Sequence, residues 1–197
     1  MACTIDAAQA CRVADAHREA PRRTHDSIVR AAYADLSAQV SRWFVAITGL
    51  RSRRPVRVVY TAQREPYPSA TELSESVVGH ATLEVFPCAR DHDRRHPILD
   101  TSVDGTYDRL RAVHDIVSHG WRGYGFDRDG EFAAWILEDR MYHGLGRWAL
   151  ATELHAEHSV LWTSGTLADH KAMLLDPRLL RMSHACGVEA DRMHGGA

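Results

Sequence analysis

The stretch "THDSIVRAAYADLSAQVSRWFVAITGL" (24–50) decides the fold class. Ile28, Ala32, Leu36, Val40, Phe44 and Ile47 recur at steps of three and four, the period of one face of an α-helix. Thr24 or Asp26 is placed to cap its start, and Gly49 to stop it. An apolar stripe of this length has to be buried against other elements, so a helical body is expected around it.

The same period returns downstream. "YDRLRAVHDIVSH" (107–119) sets Leu110, Val113 and Val117 on one side, with Asp104 or Thr106 as cap. "EFAAWILEDRMYHGL" (131–145) turns Phe132, Trp135, Ile136 and Met141 inward and ends near His143. "GRWALATELHAEHSVLW" (146–162) opens at Gly146, and "TLADHKAMLLDP" (166–177) reads as a last helix stopped by Pro177. Two short segments differ. "RPVRVVYTA" (54–62) alternates and is rich in valine, and "ATLEVFP" (81–87) is a second candidate strand. Between them Ser69 and Glu72 have the spacing of a capping box for a short helix ending near Val78. The expected fold is a single, mainly α domain over 24–183, with a small β element of strands near 56–61 and 81–86. A polar, Ala/Arg-rich N-terminal arm (1–23), either a short helix or loose, precedes it and a flexible tail (184–197) follows.

Composition narrows the function classes. The 197 residues are 45% hydrophobic and 25% charged, with a net charge of −2, so no basic field points to nucleic acid. No run of about 18 apolar residues suggests a membrane span, and the N-terminus has no signal-peptide core, so a cytoplasmic location is expected. Cys3, Cys11, Cys88 and Cys186 are scattered, with neither a C-x-x-C pair nor a disulfide pattern. The unusual feature is histidine, 13 in all. His114, His119, His143, His155 and His158 crowd into less than a quarter of the chain.

His114 and His119 stand five apart, about 140° around an ideal helix, whereas His-Glu-x-x-His sites use a four-residue step. The pair can still face one metal if His119 sits at a helix end where the backbone departs from regularity, and Gly120 follows it directly. A third ligand has candidates in Glu131 and in "ATELHAEHS", which holds Glu153, His155, Glu157 and His158. Two imidazoles and one carboxylate leave open positions that suit Fe(II) and dioxygen, or a hydrolytic Zn with water. No Glu-x-x-His pair, G-x-S-x-G elbow, P-loop or G-x-G-x-x-G motif offers another chemistry.

"HDIVSH" (114–119) resembles the His-Glu-Leu-Leu-Gly-His motif of the pterin-dependent aromatic amino acid hydroxylases, a non-haem iron family. Thr152-Glu153 is similar to that family's later Thr-Val-Glu segment. The resemblance, over 107–158, implies His114, His119 and Glu153 as iron ligands and a small aromatic or amino-acid-like substrate. Asp115 stands where the family has glutamate and Ser118 where it has glycine. No pterin-binding segment is found, so pterin is not expected as a cofactor. The wider pattern is also similar to a group of uncharacterised bacterial and phage proteins, which brings no activity with it.

The remaining roles follow from position. Glu131, Asp115 and His158 are the candidate catalytic groups, Glu131 as base or ligand, Asp115 to orient an imidazole or pair with Arg111. Glu131 is equally well placed to stabilise the start of its helix, and Asp115 to be an ordinary helix acid. Trp121, Tyr124, Phe126 and Trp135 are candidate substrate walls, though aromatics at such spacing are as often core. His96 and Asp100 in "HPILD" are expected to pin the next helix. The expected function is a mononuclear Fe(II), dioxygen-dependent hydroxylase of a small molecule. A zinc hydrolase on the same ligands and a non-enzymatic helical module are the alternatives. A homodimer is compatible with either enzyme.

Overall fold

The computed structural model describes residues 3–91 and 95–194. It is mainly helical with one small parallel sheet. Helix α1 (Ala7–Glu19) is capped by Asp6, and α2 (Ser27–Thr48) by Asp26, each carboxylate accepting two backbone N–H groups. Strand β1 (Arg57–Tyr60) leads into α3, which runs Ala70–Ser74 and widens into a π-helical turn over Glu75–Gly79. Ser69 caps it, accepting from Glu72 N, as the capping-box spacing predicts. Strand β2 (Thr82–Val85) then pairs parallel to β1, in the register Arg57↔Thr82 to Tyr60↔Val85. Helix α3 is the crossover that parallel pairing needs.

Helix α4 (106–120) begins Thr106–His114 and ends in a π-helical segment, Asp115–Gly120. Helix α5 (Arg128–Asp139) is capped by Asp127. Helix α6 (146–164) carries a second such segment, Ala151–Ala156, between α-helical turns at Gly146–Leu150 and Glu157–Ser164. Helix α7 (Pro177–His194) closes the order.

Two apolar cores hold these elements. One joins Val13 of α1, Tyr33, Leu36 and Val40 of α2, Trp135 of α5 and Leu150 of α6. The other joins Leu83 and Val85 to Val77 of α3 and Val113 and Ile116 of α4. Trp43 and Met141 pack against both. The polar centre is built where α4, α5 and α6 meet.

Three segments differ from the sequence reading. Residues 166–176 form no helix but an extended strap. Ala168, His170 and Ala172 are buried at every second position, so a period of two overrides the helical one. The strap's carbonyls bond outward in place of a helical ladder: Thr152 Oγ1 donates to Met173 O and Arg23 N to Ala172 O. Lys171, the only lysine, donates to His17 O, Arg18 O and Ala20 O and so satisfies the end of α1. The 1–23 region, read as a short helix or a loose arm, contains helix α1, and Ala10 and Val13 set it into the core rather than leaving it as an arm. Helix α7 continues past residue 184, where a tail was expected. His143 lies beyond the end of α5, its backbone N–H and C=O both bonded to the Gln39 side chain.

Candidate metal centre

The five-residue step between His114 and His119 is resolved by the π-helical turn they bracket. Trp121 N donates to Ile116 O, five residues back, at 2.8 Å. A turn closed by i→i+5 bonds brings side chains five apart to nearly the same side, and such turns recur at functional sites. The two Nε2 atoms stand 3.1 Å apart, and both side chains are buried.

The opposite ring nitrogens fix what those Nε2 atoms are. His119 Nδ1 lies 2.8 Å from the carbonyl oxygen of Tyr124, which can only accept, so Nδ1 carries the proton. His114 Nδ1 lies 2.7 Å from Glu138 Oε1, which also accepts from Ser118 Oγ at 2.7 Å. Both Nε2 atoms therefore turn lone pairs toward one point, an arrangement that needs a cation or a proton between them. A carboxylate or carbonyl behind each imidazole is the usual support of a metal-binding histidine.

Glu131 closes the triangle. Its Oε2 is 3.3 Å from His114 Nε2 and its Oε1 3.6 Å from His119 Nε2. Ligand atoms held about 2.0–2.2 Å from one ion lie roughly 3.0–3.6 Å from each other, so the three fit a single cation. His158 Nδ1 stands 3.4 Å from Glu131 Oε2, and these two buried atoms have no hydrogen-bond partner. Asp115 lies beside the histidine pair within the same potential ligand group. Burial alone would make His114 less basic, but Glu138 and Glu131 hold it well above the usual histidine range. Burial likewise opposes ionisation of Glu131, yet His158, His114 and His119 hold it well below the usual carboxylate range. Burial lowers His158. A metal ion competes with protons for these same lone pairs.

Glu153 is placed in a second buried cluster, with Glu157 and His170. Its Oε1 accepts from Tyr33 Oη at 2.5 Å and faces His96 Nε2 at 3.2 Å. The N–H groups of Ile98 and Leu99 donate to His96 Nδ1, so the His96 proton sits on Nε2 and points at Glu153. His96 thus pins its loop and orients a carboxylate, while Asp100 accepts from Ser102 N. His170 Nδ1 lies 2.8 Å from Glu157 Oε1. Burial opposes ionisation of Glu153, but His96 and Tyr33 lower its pKa.

Both clusters line one cavity of about 350 Å³, whose wall also includes Phe86, Tyr107, Leu110 and Phe126. Of the four aromatic residues expected at a substrate wall, Phe126 alone lines it, edge-on to the His119 ring with centroids 4.8 Å apart. Tyr124 contributes its carbonyl to His119, Trp121 is 46% exposed, and Trp135 stacks on His155 at 4.0 Å in the core. Arg111 donates to Phe86 O. The orienting group behind His114 is Glu138, which sequence reasoning missed; its signal was its place two turns after Glu131 on α5. Tyr33 and His170, missed also, come from α2 and the strap and have no local signal.

Among the described residues no helix is long and apolar enough to cross a membrane. No protein-family model, curated protein or solved structure matches the chain.

Proposed function

We propose that the protein is a non-haem Fe(II), dioxygen-dependent oxygenase acting on a small aromatic or amino-acid-like molecule. His114, His119 and Glu131 would hold the iron. The observation that carries this reading is two imidazole Nε2 atoms 3.1 Å apart, each faced by a different oxygen of one carboxylate, at 3.3 Å from His114 and 3.6 Å from His119. Two histidines and one carboxylate on one side of an ion leave the other side open, as iron oxygenases need. Iron so bound supplies the activation of dioxygen that no side chain can perform.

The chain's own residues supply the rest. Glu138 and the Tyr124 carbonyl hold the two imidazoles by Nδ1, so that both Nε2 atoms face one point. His158 faces Glu131 from the cavity wall, placed to steady that carboxylate or accept a proton from a bound molecule. Phe86, Tyr107 and Phe126 offer apolar surface that excludes water from a bound aromatic group. The hydrolytic zinc reading is less well supported, because it needs Glu131 as a free base and both its oxygens face the histidine pair.

The test uses protein purified without a histidine tag and reconstituted anaerobically with Fe(II). An iron equivalent lost in His119→Ala, with oxygen uptake stimulated by a small aromatic amino acid or amine, is the expected result. Zinc retained by the same residues with ester or amide hydrolysis, or no metal at all, overturns it.

A further inference from the structure

From the geometry of the second cluster, we infer that the protein binds a second divalent cation, held by Glu153, Glu157 and His170 in the wall of the same cavity as the histidine pair. One atom from each of these three residues lies within 4.8 Å of the others, and all three are buried. The decisive atom is Glu153 Oε2. The Glu153 side chain is 1% exposed, and this oxygen has no hydrogen-bond partner. Its sister oxygen takes both available donors, Tyr33 Oη and His96 Nε2. These donors favour the ionised carboxylate and leave its other oxygen unused. An unsatisfied carboxylate oxygen buried to that degree is costly unless a cation meets it.

Donor chemistry favours a metal ion. Glu153 and Glu157 place two carboxylates in one buried group beside the His170 imidazole. Two carboxylates and one imidazole form an oxygen-rich set, which suits Mn(II), Fe(II) or Mg(II) better than a thiophilic ion. Glu153 and Glu157 are four residues apart, spanning the end of the second π-helical segment into the following α-turn. The wide turn that presents Glu153 thus plays the part in α6 that the first plays in α4. The strap supplies the third donor, His170, which explains why a non-helical segment is buried there.

The two cation sites share no ligand, so this inference and the proposed function fail separately. The experiment is a Mn(II) titration of tag-free, chelator-stripped protein, following the electron paramagnetic resonance of the free ion. Wild type is expected to bind two equivalents. The Glu153→Gln/Glu157→Gln double variant and the His114→Ala/His119→Ala double variant should each bind one. Glu157→Gln alone, a same-shape change that guards against misfolding, should weaken one site at least tenfold and leave the other unchanged. Wild type binding a single ion that the glutamate variants retain overturns the second site. A single ion lost only in the glutamate variants overturns the histidine site and leaves the second standing.

Discussion

Glu131 and Glu138, two turns apart on α5, reach opposite ring nitrogens of a single imidazole: Glu131 faces His114 Nε2 at 3.3 Å and Glu138 faces Nδ1 at 2.7 Å. On the proposed reading the two carboxylates have different parts, Glu131 as a ligand and Glu138 as the support behind the imidazole. Glu138→Gln should lower affinity at the histidine site by about 10–100-fold while one ion still binds there at saturation. Glu131→Gln should remove that ion at any practical concentration. Isothermal titration of both variants with Fe(II) or Zn(II) separates the roles, and equal effects would contradict them.

Gly120 ends the π-helical turn of α4 against α3. A Cβ there would stand 2.8 Å from Val77 Cγ1 and 3.0 Å from Val77 Cβ. Gly120→Ala should destabilise the protein by about 1–3 kcal/mol through overpacking, and should weaken the neighbouring His119 site. Val77→Ala in the same chain should restore much of both. Urea denaturation of the two singles and the double measures the coupling.

Two buried tyrosines give contrasting expectations. Tyr33 Oη donates to the Glu153 carboxylate, whereas Tyr142 Oη is buried with no partner. Tyr33→Phe should cost about 1.5–3 kcal/mol, because a charged acceptor loses its donor. Tyr142→Phe, of the same size change, should lie within about 0.5 kcal/mol of wild type or be stabilising. Chemical denaturation midpoints decide, and similar losses in both would show that Oη chemistry is irrelevant.

His17 sets part of the acid limb of stability. Burial, and then Lys171, lower its pKa from 6.5 to about 4. A base depressed in the fold stays neutral there and takes up a proton on unfolding. Its contribution is complete above about pH 6.5 and declines as the pH falls toward about 4, by about 1.4 kcal/mol per pH unit. His17→Leu should flatten that slope by this amount, read from urea midpoints at several pH values with a chelator present.

The helices around the centre were legible because each carries its own period and caps: α2 from Ile28 to Ile47, α5 from its inward Phe132, Trp135 and Ile136. The histidine pair was legible as a pair, but its spacing argued against a regular helix, and no local pattern announces an i→i+5 turn. The strap was misread because Leu167, Ala168, Ala172 and Leu175 fit a helical pattern nearly as well as an extended one. What selects the extended form is non-local: bonds to Thr152 and Arg23. Glu153 was read from the resemblance as a partner of His114 and His119. In the folded chain it is met by Tyr33 and His96, from α2 and the loop before α4, and Glu131 stands beside the histidines. Which acid turns to which partner is a matter of how four helices pack, and a single chain read end to end does not state it.

The strap also bears on how such a protein diversifies. Leu167, Ala168 and His170 form cavity wall on a backbone that owes nothing to a helical or sheet ladder of its own. Irregular segments accept insertions and exchanges that helices refuse. Exchange of the strap's exposed wall residue Leu167 can therefore reshape the cavity while buried Ala168, His170 and Ala172, and the helices bearing the histidine pair, stay as they are.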